Sequence, residues 1–303
     1  MTELTILQQK ISQLLNNVQT RFEEPLSRHT SFKIGGPAEI MIFPKSEQEL
    51  SAALKAAASV DCVPVILGAG TNVLASDDGI RGIVICLKDC LDGMQQIDDT
   101  TIRVMSGVTM TRAAVFAANL GLSGLEFAHG IPGTVGGGVY MNAGAYGGEI
   151  CQVCSHVKIM DMQGNMTVLN NEDMRFGYRH SRLEEEAAIV VSADFTLTRA
   201  PAEQIKGRMQ ELMGKRKNSQ PLDLPSAGSA FKRPVGGYAA ALIDQAGLKG
   251  FQIGGAAVSE KHAGFVVNLG GATAENVKDL LRQVSDIVYD RSGIRLEPEV
   301  RIW

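Results

Sequence analysis

Apolar and polar residues alternate along the chain with two different spacings, which predict both helices and strands. Apolar positions three and four residues apart are typical of amphipathic helices, and they occur over 7–20, after Ser46, and over 109–120, 201–217, 238–246 and 273–290. Continuous or alternating apolar runs are typical of strands, and they occur over 63–67, 80–87, 156–161, 166–169, 188–197, 229–232, 264–269 and 294–302. The pattern therefore predicts an α+β fold.

Several predicted helices carry residue types that begin or end a helix. Ser46 and Glu49 have the spacing of a capping box, and Thr273 precedes the last helix as an N-cap residue. Gly121 follows the 109–120 helix, where glycine commonly ends a helix. QPLDLPSAG at 220–228 contains two prolines and predicts a domain boundary.

Composition and charge narrow the class of protein. The chain has 303 residues, of which 45% are hydrophobic and 20% charged, and this length suits two or three domains. Its net charge of −4 gives no reason to expect a nucleic-acid or acidic-membrane partner. The first twenty residues lack the features of a signal peptide, and no apolar run approaches the ~18 residues of a membrane span. We therefore expect a cytoplasmic protein with a small-molecule ligand.

Glycine is abundant and unevenly distributed. The chain has 33 glycines, against roughly 21 expected at the usual ~7%. Ten of the 33 lie within the 28 positions 121–148. Because each glycine inside a helix or strand costs ~0.5–1 kcal/mol relative to alanine, we predict that this segment consists of loops.

The first glycine-rich loop, GAGTN at 68–72, follows a predicted strand but does not match a Rossmann turn. Val73 occupies the position of the third glycine, and LASDDGIRG after it has no helical pattern. A Rossmann site needs that helix, since the pyrophosphate binds at the helix N-terminus. The chain also lacks the GK[ST] of a Walker loop.

The remaining loops are GIPGTVGGG at 130–138 and NAGAYGG at 142–148. Successive backbone N–H groups in such loops can converge on phosphate oxygens. The alternative is that each loop is only a tight turn. Two long glycine-rich loops, each next to a strand, favour a pyrophosphate-containing ligand.

Six sequence motifs, in order, identify a family. They are LGAGTNVL (67–74), GIPGTVGGGVYMNAGAYGGE (130–149), GYRHS (177–181), PSAGSAFKRP (225–234), AGLKG (246–250) with VSEKHAGFVVN (258–268), and LEPEVRIW (296–303). Together they resemble the UDP-N-acetylenolpyruvoylglucosamine reductases of bacterial peptidoglycan synthesis. The uninterrupted stretch after GYR is similar to the second type of this family, which lacks an extra tyrosine-bearing loop.

This resemblance implies a fold and a reaction. The fold is an FAD-binding domain of the p-cresol methylhydroxylase type in two subdomains, 1–95 and 96–219, followed by an α+β substrate-binding domain over 220–303 whose last strand can pack back on the FAD domain. In the implied reaction NADPH reduces FAD, and the reduced flavin passes hydride to UDP-N-acetylglucosamine enolpyruvate to give UDP-N-acetylmuramate. The cofactors implied are FAD and NADPH, with no metal.

Adding hydride to an enolpyruvyl ether places negative charge on the substrate carboxylate, so the site needs a cation or acid there and a proton donor at the neighbouring carbon. The resemblance assigns the carboxylate to Arg179 and Glu299 and the proton to Ser229. A glutamate facing a carboxylate is sensible only if they share a proton, so we expect a raised Glu299 pKa. Without the motifs, Arg179 would be a surface arginine, and Glu297 would be an equal candidate.

The same resemblance implies cofactor and substrate contacts. Cofactor contacts fall on the loops, at Gly68, Ala69, Gly70, Thr71, Asn72, Gly130, Ile131, Pro132, Gly133, Thr134, Gly136, Gly137, Asn142, Gly144 and Ala145. Substrate contacts fall on Tyr146, Lys217, Lys232, Arg233, Glu260 and Asn268. Two positions depart from the family, since Arg233 stands where many members carry asparagine and Ala241 where some carry lysine.

The cysteines and histidines do not form a recognisable redox or metal motif. Cys151 and Cys154 form a CxxC without a second pair, so two strand cysteines brought together by chance are the simpler interpretation. The five histidines show no ligand spacing, and we predict no metal. Two other functions stay open, namely another FAD oxidoreductase that uses oxygen and a nucleotide-binding module without catalysis.

Overall fold

The computed structural model describes residues 4–303, so residues 1–3 of the predicted first subdomain lie outside the described part. The α-helices are α1 Ile6–Leu14, α2 Glu47–Ala58, α3 Met110–Asn119, α4 Val135–Tyr140, α5 Ala202–Ser219, α6 Ala239–Gln245 and α7 Ala274–Ser292. The first ten strands are β1 Gln19–Pro25, β2 Pro37–Phe43, β3 Val65–Leu67, β4 Val73–Leu74, β5 Ile80–Cys86, β6 Met94–Gln96, β7 Thr101–Met105, β8 Leu122–Ser123, β9 Gly144–Ala145 and β10 Gly148–Glu149. The later strands are β11 Cys154–Asp161, β12 Met166–Asn170, β13 Ala188–Thr196, β14 Thr198–Arg199, β15 Ser226–Ser229, β16 Gln252–Ile253, β17 Ala256–Val258, β18 Phe265–Asn268 and β19 Arg301–Ile302.

The predicted helix caps have clear hydrogen-bond partners. Ser46 Oγ accepts from Glu49 N, but the Glu49 carboxylate accepts from Lys45 N at 2.8 Å rather than completing the box at Ser46. Thr273 forms a full capping box with Asn276 at the start of α7. The predicted N-cap residues are therefore confirmed.

The first compact unit contains the described residues up to Phe22, Glu39–Ala69 and Gly82–Lys215. One of its sheets has the strand order β1-β2-β5-β3, with β3 parallel to β5. A core that includes Ile40, Ile42 and Ile85 joins this sheet to the buried face of α2. The sheet thereby fixes the end of β3, where the loop at 68–72 begins.

A second sheet of the same unit has the order β12-β11-β13-β7-β6. Neighbouring strands of this sheet pair antiparallel, and β11 carries register shifts against β13. Ile102, Val104 and Phe195 are fully buried in a core with α3 and the loop after it. Val135 and Val139 of α4 belong to this core, so the helix within the second glycine-rich segment packs against it.

The second compact unit contains Glu23–Ala38, Gly70–Arg81 and Arg216–Trp303. Its sheet has the order β15-β18-β17-β16, and α7 packs on it through Val277, Leu280, Leu281, Val284 and Val288, which are all buried. β19 pairs with β4 in parallel, Arg301 opposite Val73 and Ile302 opposite Leu74. The end of the chain is therefore tied to the residues that follow the GAGTN loop.

The prediction that 121–148 consists of loops is wrong for α4, which begins at Val135 and ends at Tyr140, and for the short strands β8, β9 and β10. Close packing explains a helix with three consecutive glycines. A Cβ on Gly136 would lie 2.9 Å from Ser106 Cβ, and one on Gly138 would lie 2.7 Å from Met110 Sδ. Packing against α3 and the end of β7 requires a helix face without side chains, and this outweighs the low helix propensity of glycine.

Strand boundaries also differ from the predictions. Within the predicted strand over 294–302, Arg301–Ile302 form a strand and Pro298 forms an isolated bridge with Phe231. The strand predicted over 229–232 lies at Ser226–Ser229. The first predicted helix ends at Leu14, and β1 and β2 were not predicted.

Among residues 4–303, no helix is both long and apolar enough to cross a membrane. The division into 1–95, 96–219 and 220–303 stays a prediction.

Candidate cofactor site and active site

The GAGTN loop follows β3 and leads into the two-residue strand β4. No helix follows it, which confirms that the loop is not a Rossmann turn. Within residues 4–303, the backbone N–H groups of Gly68, Ala69 and Gly70 donate no hydrogen bond. Three successive unused N–H groups can bind an anion such as a phosphate.

Gly70 of this loop needs to be glycine. Its φ is +61°, and a Cβ there would lie 2.2 Å from the backbone oxygen of His29. The loop packs on the segment 29–31, since Ser31 N donates to Gly70 O at 2.9 Å. The close approach fixes the path of the loop in the second unit.

The second glycine-rich loop meets the start of the first one. Thr134 caps α4 through its Oγ1, which accepts from Gly137 N at 3.4 Å. A Cβ on Gly68 would lie 2.6 Å from the same Oγ1. Gly68 and Thr134 are thus in contact although they lie far apart in sequence. The two loops, predicted separately, lie side by side in the first unit and are suited to one extended ligand.

A hairpin follows α4 and presents Tyr146 at its tip. Gly144 pairs with Glu149 and Ala145 with Gly148, so Tyr146 and Gly147 form the two-residue turn. Both have positive φ, +54° and +86°, as a type I′ turn requires. The Tyr146 side chain is exposed.

Arg179 lies on a second tight turn of the first unit. Gly177 N donates to His180 O at 3.0 Å, and His180 N donates to Gly177 O at 3.3 Å. Arg179 has φ +54°, and its guanidinium lies 5.3 Å from the ring of Tyr178. His180 Nδ1 lies 2.7 Å from Glu184 Oε2, so this histidine stabilises the turn rather than extending into solvent.

Ser229 and Glu299 come together in the second unit. Ser229 ends β15, and Glu299 N donates to the carbonyl of the next residue, Ala230, at 2.9 Å. The Asn72 side-chain amide donates to Glu299 O at 3.2 Å, and Arg301 N donates to Asn72 O at 2.9 Å. The GAGTN loop, the Ser229 strand and the Glu299 segment are therefore directly connected.

Ser31 adds a second connection that the sequence did not indicate. Its Oγ donates to Ser226 O at 2.5 Å and lies 3.2 Å from Gly70 O. Ser226 begins the strand that ends at Ser229. Ser31 was missed because it lies in an irregular segment between β1 and β2, where no periodicity or glycine cluster marks a position.

The structure distinguishes Glu299 from Glu297. The Glu297 carboxylate is 70% exposed and forms an ion pair with Lys232. Glu299 is half-buried and is held on both sides of its backbone by Ala230 and Asn72. The ammonium group of Lys232 is therefore paired with the carboxylate of Glu297.

The other predicted substrate residues have varied surroundings. Lys217 is exposed, and its carbonyl accepts from Lys261 Nζ at 2.6 Å. The Arg233 guanidinium lies 4.1 Å from the ring centre of Tyr238. Glu260 lies against Gly250, where a Cβ would lie 2.1 Å from Glu260 Oε1.

Asn268 is largely committed to the protein itself. It is buried, its Nδ2 donates to Phe32 O at 3.0 Å, and its Oδ1 accepts from Gly270 N and Ala272 N at 2.8 and 3.2 Å. The side chain thus connects the segment between β1 and β2 to the entry of α7. Among residues 4–303, no group of three or more His, Cys, Asp or Glu side chains could hold a metal ion.

Comparisons with known proteins identify two family domains in the chain. A family model described as an FAD binding domain matches residues 38–170. A model described as the C-terminal domain of UDP-N-acetylenolpyruvoylglucosamine reductase matches residues 220–303. The predicted α+β fold, with an FAD-binding part followed by a C-terminal domain, is confirmed, and so is FAD as the cofactor.

Similar proteins cover nearly the whole chain. The UDP-N-acetylenolpyruvoylglucosamine reductases of Caldanaerobacter subterraneus subsp. tengcongensis and Streptococcus pneumoniae (strain 70585) are 44% and 43% identical over 297 and 296 residues, with 98% of each chain covered. The crystal structure of the Thermus caldophilus reductase superimposes with a TM-score of 0.80 at 36% identity, over 95% of this chain and 99% of that one. The chain belongs to the UDP-N-acetylenolpyruvoylglucosamine reductase family.

Proposed function

We propose that this enzyme reduces UDP-N-acetylglucosamine enolpyruvate to UDP-N-acetylmuramate in the cytoplasm, for peptidoglycan precursor synthesis. Bound FAD supplies a hydride carrier that NADPH reduces and the substrate reoxidises. The observation that carries the proposal is the connection of the GAGTN loop to both Ser229 and Glu299 through Asn72 and Ala230. It joins a phosphate-binding loop to a hydroxyl and a carboxyl group, which a binding module has no need to hold together.

The glycine-rich loops fit a dinucleotide. The N–H groups at 68–70 that donate no hydrogen bond can bind phosphate oxygens, and the close contact between Gly68 and Thr134 brings the second glycine-rich loop next to them. We assign its binding to Gly68, Ala69, Gly70, Thr71, Asn72, Gly130, Ile131, Pro132, Gly133, Thr134, Gly136, Gly137, Gly144 and Ala145. The Asn142 side chain is engaged by neighbouring protein groups.

Three side chains carry the reaction in this proposal. Arg179 binds the substrate carboxylate, because a guanidinium stays charged and can bind both carboxylate oxygens. As hydride adds to the vinyl methylene carbon, the electron pair moves onto that carboxylate, and Glu299 stabilises it with a shared proton. Ser229 donates its hydroxyl proton to the neighbouring carbon, where the delocalised electron pair forms the new C–H bond, and the serine alkoxide then regains a proton from solvent.

Tyr146, Lys217, Lys232, Arg233, Glu260 and Asn268 complete the proposed substrate contacts. Arg233 carries a charge beside an aromatic ring, an arrangement that suits a nucleoside diphosphate. Lys232 keeps an exposed ammonium at the end of the Ser229 segment. Asn268 serves mainly by holding the segment at Phe32 in place.

An anaerobic two-step experiment tests the function. The purified protein should show flavin absorbance, lose the oxidised flavin band on addition of NADPH, and regain it when UDP-N-acetylglucosamine enolpyruvate is added. A reduced flavin that only oxygen reoxidises would support an oxygen-using oxidase instead. A colourless protein that does not take up FAD would support a nucleotide-binding module.

A further inference from the structure

The turn that bears Arg179 is attached to the rest of the first unit by side chains on both sides. Its backbone closes the turn through a pair of hydrogen bonds between Gly177 and His180. Arg179 itself has φ +54°, a conformation that costs an ordinary side chain roughly 1–2 kcal/mol. Neighbouring contacts must therefore hold the turn in this geometry.

Asn142 provides the first of these contacts. Its Nδ2 donates to the carbonyl of Gly177 at 2.9 Å, two residues before Arg179, and to Glu149 Oε2 at 3.0 Å. Its Oδ1 accepts from Cys151 N at 2.9 Å. The residue is 2% exposed, so both amide hydrogens and the amide oxygen are used within the protein.

Ser181 provides the second contact, on the other side of the turn. Its Oγ donates to Tyr140 O at 2.7 Å, and the residue is completely buried. Tyr140 ends α4, and Asn142 follows it by two residues. Both contacts therefore attach the Arg179 turn to the same place, the end of the glycine-rich helix.

We propose that Asn142, together with Ser181, is a positioning residue for Arg179, and that its side chain does not bind the cofactor. This inference rests on the proposed function, in which Arg179 binds the substrate carboxylate. Asn142 is suited to the position because asparagine tolerates its φ of +43°. A displacement of about 1 Å in a group that orients a substrate costs up to about 10²-fold in rate.

Asn142→Gly tests the assignment, because glycine keeps the positive φ without strain and removes the amide. In the FAD-loaded protein we expect wild-type flavin content and flavin reduction by NADPH, with reoxidation by UDP-N-acetylglucosamine enolpyruvate slowed about ten- to a hundred-fold. Asn171→Ala is the matched control. Its amide also donates to loop carbonyls, those of Cys151 and Cys154 at 2.8 and 2.7 Å, but not to the turn. Loss of flavin in Asn142→Gly, or equal slowing in the control, would overturn the assignment.

A double-mutant cycle separates positioning from general structural damage. If Asn142 acts through Arg179, adding Asn142→Gly to Arg179→Ala should slow reoxidation by less than about two-fold, since contacting residues are non-additive. Fully additive slowing would contradict the proposal. Wild-type reoxidation in Arg179→Ala would instead refute the proposed role of Arg179, whereas a slow Arg179→Ala with a wild-type Asn142→Gly would refute only the present inference.

If Asn142→Gly does not yield folded protein, Ser181→Ala tests the same attachment at its other end. It should keep flavin reduction and slow reoxidation, again without further effect in the Arg179→Ala background. A wild-type reoxidation rate in Ser181→Ala would show that the turn is held without these side chains.

Discussion

The side-chain amide of Asn72 donates a hydrogen bond to the backbone carbonyl of Glu299, across 227 positions of sequence and a distance of 3.2 Å. Arg301 N returns a hydrogen bond to Asn72 O at 2.9 Å. A residue expected to contact the cofactor thus also holds the segment that carries the proposed acid. In the proposed function, cofactor binding by the GAGTN loop and the position of Glu299 therefore both depend on Asn72.

Asn72→Ala should slow reoxidation of reduced flavin by substrate about ten-fold, because Glu299 loses the contact that fixes its backbone. The lost hydrogen bond should also lower the free energy of unfolding by about 1 kcal/mol. Stopped-flow absorbance and urea unfolding of the same preparation measure both effects. Unchanged reoxidation with a lower unfolding free energy would limit the contact to stability.

Glu299→Gln should impair only the reaction with substrate, since an amide cannot share a proton with the developing carboxylate charge. Removing such a group typically costs about 10²-fold or more in rate. Glu297→Gln is the matched control, because Glu297 is exposed and paired with Lys232, and its rate should stay within about two-fold of wild type. Similar slowing in both variants would remove Glu299 from the mechanism.

Ser229→Ala should allow flavin reduction by NADPH but slow its reoxidation by roughly 10²–10⁴-fold, the usual contribution of a proton donor. Ser226→Ala changes the same strand away from the proposed donor and should react like wild type. A solvent isotope effect on reoxidation should be present in the wild-type enzyme. Equal slowing of both half-reactions in Ser229→Ala would argue against proton donation.

Gly136→Ala and Gly207→Ala should change stability in opposite directions. A Cβ at Gly136 would lie 2.9 Å from Ser106 Cβ and 3.2 Å from Ser106 O, and such overpacking costs typically about 1–3 kcal/mol. Gly207 lies within α5 with nothing within 4 Å of its added Cβ, so alanine there should stabilise by about 0.5–1 kcal/mol. Urea unfolding of both variants measures the difference, and destabilisation by Gly207→Ala would contradict the packing argument.

Two buried thiols should make the protein less stable in alkali. Burial raises the pKa of the Cys86 and Cys154 thiols to about 12. In the unfolded chain these thiols ionise near their ordinary value of 9.0, so the unfolded state loses protons that the folded state keeps. Stability is fully present below about pH 9 and falls between there and about pH 12 by ~1.4 kcal/mol per pH unit for each thiol.

Cys154→Ala isolates this effect, because it removes one of the two thiols. The slope of unfolding free energy against pH, measured from about pH 9 to pH 10.5, should be smaller in the variant by ~1.4 kcal/mol per unit. The cavity left by the thiol lowers stability equally at all pH values and does not change the slope. Identical slopes in the two proteins would contradict the burial argument.

The resemblance of six sequence motifs to one family predicted that family, the FAD cofactor and the α+β fold, and these are confirmed. Helix ends at Ser46 and Thr273 were also predictable, because capping is a local interaction between residues three apart. The assignments of individual residues to cofactor and substrate stay predictions. The sequence could place Ser229 and Glu299 in matching motifs but not their backbone link through Ala230.

Tertiary contacts account for what the sequence could not predict. The high glycine content argued against a helix at α4. Ser106 and Met110 lie so close to this helix that its facing positions have room only for glycine. β1 has mainly exposed positions at the edge of its sheet and so lacks an apolar pattern. Ser31 and Asn142 act through single hydrogen bonds to distant backbone groups, which no local periodicity reveals.

The parallel pairing of β19 with β4 determines when the second unit can form during protein synthesis. Residues 70–81 leave the ribosome long before Arg216–Trp303, yet Asn72 and Leu74 form hydrogen bonds with Glu299, Arg301 and Trp303. Contacts of such large sequence separation form slowly and late. A nascent chain therefore exposes the unpaired GAGTN loop until the segment from Glu299 to Trp303 has been synthesised.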